Sequence, residues 1–243
     1  MTRRFERVLI TGGSGFIGSY LARTLLSQGR KVVDVDVQPP TLAASHVLGQ
    51  WADRYRYERC GVEDLAPLLE IVGRYRPEVI VHGAAIVDAG RLRTDPMPAA
   101  RVNFGGTLNV LEAARQCGMP RVVLVSSIGV LPTIQTEPVP PDHPLILATE
   151  GPTSGFYASA KVASEAFGFG YYGGFGLDFR VVRPTAPYGL GMGWPMFVKT
   201  MVEHAVRGEP VRFASGGPYP RAYTYIEDLT DLMVRMVDAP DDA

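Results

Sequence analysis

Tyr157 and Lys161 lie four positions apart in the stretch GFYASAK, a spacing that puts two side chains on the same face of a helix. A lysine ammonium favours the phenolate of a neighbouring tyrosine, so it lowers the pKa of the phenol from its ordinary value of about 10. Such a tyrosine can take a proton from a substrate hydroxyl while a nicotinamide accepts the hydride from the same carbon. The spacing also fits an ordinary helix with a buried aromatic and a solvated lysine, so the pair needs support from the rest of the chain.

Two serines supply part of that support. Ser126 and Ser127 end the apolar run RVVLVSS, which has the composition of a buried parallel strand. Because the carboxyl ends of parallel strands line the ligand crevice of a doubly wound sheet, we expect the serine hydroxyls at that edge. A serine there can bind the reacting oxygen and share its proton with the tyrosine. The pattern predicts one site that contains a serine, Tyr157 and Lys161.

A glycine-rich turn follows the first apolar run, in the stretch VLITGGSGFIGS. Its spaced glycines, Gly12, Gly15 and Gly18, allow a tight turn, close approach of the backbone to a pyrophosphate, and close packing of the next helix on the sheet. The amino terminus of that helix offers free N–H groups and a positive dipole end to phosphates. Turn glycines without a ligand are common, so the position of an acidic partner decides the interpretation.

The acidic partner stands at the end of the second strand, VVDVD. Asp34 and Asp36 point the same way because side chains alternate along a strand, and Asp36 lies nearer the carboxyl end, where the crevice opens. We therefore favour Asp36 as the residue that binds the adenosine ribose. Its carboxylate would repel a 2′-phosphate, and Val37 and Gln38 supply no arginine to receive one, so the sequence predicts NAD rather than NADP.

The elements that must position these residues alternate along the chain. Five apolar runs rich in β-branched residues predict buried parallel strands at 7–11, 31–37, 78–85, 121–127 and 178–184. Four amphipathic stretches between them predict helices at 17–28, 64–75, 99–116 and 158–169. Strands that alternate with helices are typical of βαβ units, so the predicted fold class is α/β, a doubly wound parallel sheet of the Rossmann type.

The pattern also predicts two regions. Residues 1–184 form an NAD-binding Rossmann domain with the catalytic residues, and residues 185–243 form a small, partial substrate-binding lobe interleaved with the last part of the sheet. In the lobe we expect a helix over 197–207, a short strand in PVRFA (210–214), and a strand that enters a helix in RAYTYIEDL. Six prolines in 131–155 exclude a helix there and indicate either a surface excursion or an active-site lid.

Composition argues against several other classes of protein. The net charge is −1, from 24 basic and 25 acidic residues that are interspersed, so no broad field attracts nucleic acid or anionic lipid. Cys60 and Cys117 lack a C-x-x-C partner, and the histidines show no metal-site spacing, so neither a disulfide framework nor a metal site is predicted. The apolar run near the amino terminus is too short for a signal peptide or a membrane span, so we expect a cytoplasmic protein.

These motifs together resemble the extended short-chain dehydrogenase/reductase family, the NAD-dependent epimerase/dehydratase group, over essentially the whole chain. The matching segments, in order, are TGGSGFIGS, Asp36, VIVHGAA, Asn103 in RVNFGGTLNVLEAA, VSSIGV, YASAK, RPTAPYG and RAYTYIEDL. The resemblance implies that Ser127 binds the substrate oxygen and that Tyr157 is the acid/base. It implies that Lys161 holds the nicotinamide ribose and tunes the tyrosine.

The resemblance also implies a set of binding residues. Those for the cofactor are Gly12, Gly15, Phe16, Ile17, Gly18, Asp36, Ala84, Ala85, Asn103, Tyr157, Lys161, Pro184 and Thr185. Those for the substrate are Ser127, Tyr157 and Arg221, the last of which matches an arginine that often meets a substrate phosphate. Asn103 would order the sheet edge or a water near the site. A homodimer is common in such proteins, through the helices that carry Asn103 and Tyr157.

The sequence departs from the family pattern at several positions. Gly61 stands where many relatives have an aspartate that anchors adenine, so the backbone or a shifted residue such as Glu63 would have to hold the base. Ile128 and Gly129 replace the aspartate and glutamate that perform elimination in the dehydratases, which argues against dehydration. Ala186 replaces an asparagine that contacts nucleotide sugars, and the chain ends soon after YIEDL, where relatives continue.

The leading hypothesis is an NAD-dependent epimerase or dehydrogenase that acts on a secondary alcohol of a sugar, sugar nucleotide or related polyol acid. The two activities share all of these residues, so the motifs do not separate them. An alternative is a reductase or dehydrogenase of a non-sugar ketone or steroid-like alcohol, because Trp194 and Phe197 in GLGMGWPMF also suit an apolar ligand. A second alternative is a non-catalytic dinucleotide-sensing protein on the same fold, although such proteins usually lack the tyrosine and lysine.

Overall fold

The computed structural model describes residues 4–118, 121–131, 137–145, 155–193, 197–212 and 222–240. Six strands form one parallel sheet: β1 (Arg7–Thr11), β2 (Lys31–Asp36), β3 (Tyr55–Arg59), β4 (Val79–His82), β5 (Arg121–Val125) and β6 (Asp178–Val182). Their order across the sheet is β3-β2-β1-β4-β5-β6. The chain direction across the sheet reverses between β1 and β4, and the crevice at this switch point opens outside the carboxyl ends of the strands. The predicted fold class is confirmed.

In the described ranges, eight α-helices connect or follow the strands: α1 (Phe16–Ser27), α2 (Leu42–Leu48), α3 (Leu65–Tyr75), α4 (Ala89–Thr94), α5 (Gly106–Gln116), α6 (Phe156–Phe175), α7 (Phe197–Arg207) and α8 (Ile226–Asp238). A π-helical segment, Ala99–Gly105, runs directly into α5. Two short strands, β7 (Pro187–Tyr188) and β8 (Thr224–Tyr225), pair in parallel beside the main sheet. The last helix follows β8 directly, as the sequence predicts.

Several elements differ from the sequence prediction. The helices α2 and α4 and the short strand β7 are not predicted, and the predicted helix over 99–116 begins with a π-helical segment. Strand β3 was not predicted because its sequence, YRYER, is polar; it forms the edge of the sheet, where its residues are half-buried or exposed. The strand expected over 210–214 is wrong for residues 210–212, which are exposed and pair with no strand in the described part of the chain; residues 213 and 214 lie outside it. Of the proline-rich stretch, the described residues 131, 137–145 and 155 contain neither helix nor strand.

The core lies on both faces of the sheet. On one face α1 and α8 pack together, with Leu21 and Leu25 in the same buried cluster as Leu229 and Met233. On the other face α3 and α5 cover the strands. Burial of apolar surface at roughly 25 cal/mol per Å² is the main favourable contribution to such packing. The predicted domain boundary at residue 184 stays a prediction, but α8, which lies beyond it, belongs to the same cluster as α1.

A buried arginine ties the end of α8 to the sheet. The guanidinium of Arg121, at the start of β5, lies 2.6 Å from Asp178 Oδ2 on β6. It also donates to the carbonyl oxygens of Val237 at 2.6 Å and Ala239 at 2.8 Å, just where α8 ends. Because a buried charge is costly unless paired and hydrogen-bonded, these partners are what permit an arginine here. They hold the carboxyl-terminal helix against the amino end of β5.

Helix α6, which carries Tyr157 and Lys161, lies close to β6 at a glycine. A Cβ added at Gly168 would overlap the ring of Phe179. Overpacking of this kind costs about 1–3 kcal/mol, so Gly168→Ala should lower the free energy of unfolding by about that amount in urea titrations.

Gly170 provides the matched control on the same helix, since a Cβ there meets nothing within 4 Å. Alanine is the better helix former, so Gly170→Ala should leave stability unchanged or raise it by up to about 1 kcal/mol. Equal effects of the two variants would contradict the close approach of α6 to β6.

Candidate functional site

Helix α6 places Tyr157 and Lys161 in its first two turns. Lys161 is about 1% exposed, and its Nζ donates to the carbonyl oxygen of Val125, the last residue of β5, at 2.7 Å. The same nitrogen lies 5.9 Å from the centre of the Tyr157 ring. The spacing of four residues therefore brings both side chains to the carboxyl end of β5, as the sequence predicts.

Ser127 joins them from the other side. It follows β5 and begins a short 3₁₀ turn, Ile128–Val130, in which its Oγ accepts a hydrogen bond from the Gly129 amide at 3.0 Å. The Ser127 side chain lies close enough to the Tyr157 hydroxyl to lower the pKa of that group, against the larger effect of burial. The neighbouring Ser126 points elsewhere, because its hydroxyl donates to Glu165 Oε1 at 2.5 Å. Of the two serines, Ser127 is the one that meets the tyrosine.

The acid–base properties of the pair differ from the expectation. Burial raises the pKa of Tyr157 to about 12, and the Ser127 side chain only partly opposes this. Burial also lowers the pKa of Lys161 to about 8, against the opposing effect of the Glu165 carboxylate. The predicted lowering of the tyrosine pKa is wrong for this structure, because desolvation dominates and the ammonium is hydrogen-bonded to a carbonyl. Tyr157 is protonated at neutral pH and presents a hydroxyl to a ligand.

A carboxylate that the sequence analysis missed supports this arrangement. Glu165 is fully buried and forms an ion pair with Arg183, whose Nη2 lies 2.8 Å from Oε2. Its position four residues after Lys161 on the same helix is the signal that could have identified it. With Ser126 as a further donor, Glu165 ties α6 to the ends of β5 and β6 and supplies the negative charge nearest to the buried ammonium.

The segment after β6 reaches the same edge. The Ile128 amide donates to the carbonyl of Pro184 at 3.1 Å, and the hydroxyls of Thr185 and Thr224 lie 2.8 Å apart. Pro184 and Thr185 therefore lie beside the turn that begins at Ser127. Their role beside a nicotinamide, which the family resemblance implies, stays a prediction.

A series of buried hydrogen bonds connects the central strands to α6. His82 at the end of β4 contacts Thr11 Oγ1 at 2.7 Å through Nδ1 and Thr107 Oγ1 at 3.1 Å through Nε2. Thr107 in turn lies 3.0 Å from the hydroxyl of Ser164 on α6. Burial, with a smaller effect of the Lys161 charge, lowers the pKa of His82 to about 3, so the ring is neutral. The histidine is a structural link between the sheet and two helices.

The glycine turn between β1 and α1 leaves no room for side chains. Gly12 has φ +73°, and a Cβ on it would lie 2.7 Å from the amide nitrogen of Ala84 beyond β4. A Cβ on Gly18 would overlap the carbonyl oxygen of Gly12. Gly15 precedes α1 in an extended conformation and caps it with no side-chain hydrogen bond. The amino terminus of a helix offers backbone N–H groups and a positive dipole end to an anion. The turn has the geometry of a pyrophosphate cradle.

A cavity of about 370 Å³ opens beside this turn, at the carboxyl ends of β2, β3 and β4. Five predicted cofactor residues line it: Gly12, Gly15, Asp36, Ala84 and Ala85. Glu63, the residue that the sequence offers as a possible partner of adenine, lines it as well. The rest of the lining is Val35, Val37, Cys60, Val62, Gly83, Ile86, Arg91 and Val102. The open helix terminus, the glycine cradle and a carboxylate at the end of β2 fit the pyrophosphate and adenosine ribose of NAD.

The remaining predicted residues lie around this cavity or outside the described chain. Phe16 begins α1 and packs edge-on against Tyr20, and Ile17 packs on the core beneath. Asn103 is buried; its Oδ1 accepts from the Ile86 amide at 2.7 Å and its Nδ2 donates to the Ile86 carbonyl at 3.0 Å. It shapes the cavity wall through Ile86. Arg221 lies outside the described residues.

A second aspartate on β2 lies beneath the glycine turn. Asp34 is fully buried, and its Oδ2 accepts hydrogen bonds from Ser14 Oγ at 2.8 Å and from the Tyr55 hydroxyl at 2.7 Å. Its Oδ1 has no hydrogen-bond partner within the described structure, and a Cβ on Gly13 would collide with it. Burial raises the pKa of Asp34 to about 6 despite the two hydroxyl donors. The carboxylate supports the turn while Asp36 faces the cavity.

This burial predicts a pH dependence of stability. Since the pKa is higher in the folded chain than the ordinary value of 3.8, the native state binds more protons between those two values, and the contribution of Asp34 to stability falls as pH rises from about 4 to 6. Two pKa units correspond to about 3 kcal/mol. The free energy of unfolding of Asp34→Asn, relative to that of the wild type, should therefore increase by roughly this amount from pH 4 to pH 7. Urea titrations across this range measure the difference.

Asp53→Asn is the control for that series, because Asp53 is 74% exposed and its removal leaves the turn untouched. A difference between Asp34→Asn and the wild type that stays constant from pH 4 to pH 7 would contradict the assignment.

Comparison with known proteins identifies the family. Residues 8–243 match the model of the NAD dependent epimerase/dehydratase family. The chain therefore belongs to the NAD-dependent epimerase/dehydratase family. NAD dependence of this family confirms the predicted cofactor, and membership confirms that the protein is an enzyme of the oxidoreductase or isomerase type.

Individual members of the family share most of the chain. A UDP-glucose 4-epimerase of Mycolicibacterium smegmatis is 31% identical over 239 residues, which are 94% of this chain and 72% of that protein. A UDP-glucose 4-epimerase of Thermus thermophilus, solved with NAD, superposes with a TM-score of 0.80 at 26% identity and covers 96% of this chain and 75% of its own. A UDP-glucose 4-epimerase of Thermotoga maritima, solved with UDP-glucose, gives 0.77 at 25% identity and covers 92% and 71%.

No helix in the described ranges is long and apolar enough to cross a membrane.

Proposed function

We propose that the protein is an NAD-dependent epimerase that inverts a secondary alcohol carbon of a sugar nucleotide. The observation that carries this proposal is the convergence of Tyr157, the buried Lys161 and Ser127 at the carboxyl end of β5, where the Lys161 ammonium is bound to the last carbonyl of the strand. The glycine turn and Asp36 lie on the same edge of the sheet. Relatives that are named UDP-glucose 4-epimerases support the substrate class.

Ser127, Tyr157 and Lys161 would have different roles in acid–base catalysis. NAD, when bound, supplies a nicotinamide that can accept a hydride from the alcohol carbon and return it. Ser127 binds the reacting oxygen. Tyr157 must first lose its own proton to solvent; the phenolate then takes the hydroxyl proton of the substrate and gives it back as a general acid. Because burial holds the pKa of Tyr157 at about 12, loss of its proton needs nearby positive charge, and the Lys161 ammonium is the protein's own source of it. Gly12, Gly15 and Asp36 would orient the cofactor against this centre.

The site favours epimerisation over elimination. Elimination of water from a sugar needs a second acid/base group near the tyrosine, and the turn after Ser127 carries Ile128 and Gly129, which have no ionisable side chain. Glu165, the nearby buried carboxylate, is bound by Arg183 and Ser126. A dehydrogenase would share every group named here, so the products must separate the two activities. Arg221 is the residue that we propose for a substrate phosphate.

The decisive experiment incubates the protein and NAD with a panel of UDP-sugars and follows products by NMR and NADH by absorbance. An epimerase forms the isomeric UDP-sugar without net NADH. Net NADH formation would instead indicate a dehydrogenase, and a 4-keto-6-deoxy product would contradict the argument from Ile128 and Gly129.

Removal of the tyrosine hydroxyl tests the acid–base role. Tyr157→Phe loses the proton-transfer group, so kcat should fall by about 10²–10⁴-fold. Tyr172→Phe is the control, since Tyr172 lies on the same helix and is 60% exposed. Full activity of Tyr157→Phe would contradict the mechanism.

Asp36 is proposed to select NAD through the adenosine ribose. Loss of hydrogen bonds to a charged group costs about 1.5–3 kcal/mol, so Asp36→Ala should weaken NAD binding by about tenfold or more. The ratio of the affinity for NAD to the affinity for NADP should fall as well. Titration of protein fluorescence with each dinucleotide measures this. Asp53→Ala removes an exposed carboxylate as the control, and an unchanged ratio of the two affinities in Asp36→Ala would count against the assignment.

The homodimer stays a prediction. Helix α6 exposes several large aromatic side chains that favour it: Phe156, Phe167, Phe169, Tyr172 and Phe175.

A further inference from the structure

We propose that Asp34 is a positioning residue of the glycine turn, and that the charge on its buried carboxyl group controls how tightly the site binds NAD. The proposal deepens the proposed function and rests on the cofactor orientation given there, with the pyrophosphate at the glycine turn. It gives a role to a residue that does not itself line the cavity. Three observations support it: the place of Asp34 beneath the turn, the hydrogen bonds of one carboxyl oxygen, and the surroundings of its charge.

The Asp34 side chain packs against the backbone of the glycine turn. Asp34 belongs to β2, and its side chain is fully buried. A Cβ built on Gly13 would overlap Oδ1 of Asp34 and lie 2.6 Å from Cγ, so the carboxyl group touches the turn itself. Ser14 and Gly15 then lead into the amino terminus of α1, where the pyrophosphate would bind. The carboxyl group therefore lies under the segment that would hold the phosphates.

One oxygen of Asp34 holds the turn in place. Oδ2 accepts hydrogen bonds from Ser14 Oγ at 2.8 Å and from the Tyr55 hydroxyl at 2.7 Å, which together join the turn to the edge strand β3. Oδ1 has no hydrogen-bond partner among the described residues. A proton on the group would therefore lie on Oδ1, and Oδ2 would keep both donors. The acid and the carboxylate hold the turn in the same way and differ in charge.

The charge of Asp34 is not balanced by a cation in the described part of the chain. The titratable groups that act on it or respond to it are Asp36 on the same strand and Tyr55 and Tyr57 on β3. Burial raises the pKa of both tyrosines, so their hydroxyls stay neutral near pH 7. Burial also raises the pKa of Asp34 to about 6, and repulsion by Asp36 adds to this effect. Asp34 therefore changes from neutral to negative near pH 6.

A negative charge beneath the turn opposes the binding of a pyrophosphate, because both groups are anionic. Water and salt screen a buried charge less than an exposed one. Protonated Asp34 keeps the turn in place without this repulsion, so its contribution to NAD affinity should fall as pH rises through about 6. Asp36 has the opposite effect, since its carboxylate is the form that accepts hydrogen bonds from the ribose. NAD itself has no group that titrates near pH 6.

The test measures the dissociation constant of NAD from pH 5 to pH 8 for the wild type and for Asp34→Asn, by fluorescence titration. The asparagine amide accepts hydrogen bonds as the acid does and carries no charge. The ratio of the wild-type constant to that of Asp34→Asn should rise by about fivefold or more over this range. The ratio removes the contribution of Asp36, which both proteins share. Calorimetry in two buffers of different ionisation enthalpy should show more proton uptake on NAD binding in the wild type than in the variant.

A second variant moves the pH dependence without removing the carboxyl group. Tyr55→Phe keeps the ring and removes one of the two hydrogen bonds to Oδ2, which favour the carboxylate over the acid. The pH at which NAD affinity falls should therefore move upward, by about one unit. Tyr75→Phe is the matched control, because it removes a tyrosine hydroxyl that is hydrogen-bonded to Glu58. Its pH profile should be that of the wild type.

The outcomes distinguish this proposal from the proposed function. If the wild type binds NAD and Asp36→Ala weakens that binding, but the ratio for Asp34→Asn stays constant from pH 5 to pH 8, the role of Asp34 is refuted and the NAD site stands. A wild-type pH profile in Tyr55→Phe would also refute it, and this variant decides the matter if Asp34→Asn does not fold in urea titrations. Absence of NAD binding to the wild type would overturn both proposals.

Discussion

The position of helix α6 depends on one buried ammonium group, that of Lys161. Lys161 is almost completely enclosed, and a charge in that position is tolerated only where polar groups surround it. The carbonyl of Val125 and the carboxylate of Glu165 are those groups, and they come from the sheet and from the same helix. Helix α6 must therefore lie where both reach the ammonium. This requirement places Tyr157, one turn earlier, over the end of β5 and against Ser127.

The glycine turn and the cavity beside it depend on a different constraint, which is the close approach of two backbone segments. The glycine turn lies directly against the segment that follows β4, where a Cβ on Gly12 would meet Ala84. Asn103 holds the continuation of that segment through Ile86, and His82 links β4 to β1 and α5. Helix α6 is joined to the central strand β4, because Thr107 on α5 contacts both His82 and Ser164. The tyrosine hydroxyl and the phosphate cradle share one rigid edge, which is what hydride chemistry at a fixed cofactor requires.

The two parts of the candidate site carry different side chains. At the end of β5, Tyr157 and Lys161 lie close together, and the turn after Ser127 has no ionisable side chain. The cavity beside the glycine turn is lined by two carboxylates, those of Asp36 and Glu63.

The sequence by itself determined the alternation of strands and helices, the glycine spacing, the choice of Asp36 and the pairing of Tyr157 with Lys161. Each of these is a pattern of side-chain type and spacing among residues that are close in sequence. Such patterns can be recognised without knowing which distant residues come into contact. Only the tertiary structure decided the rest. It showed that Ser127, and not Ser126, meets the tyrosine, that polar YRYER forms the edge strand, and that Glu165 and Asp34 are buried. It also showed that burial raises the pKa of Tyr157, which the sequence predicts to be lowered. Burial depends on residues that are distant in sequence, such as Ser14 and Tyr55 around Asp34, and no local spacing records it.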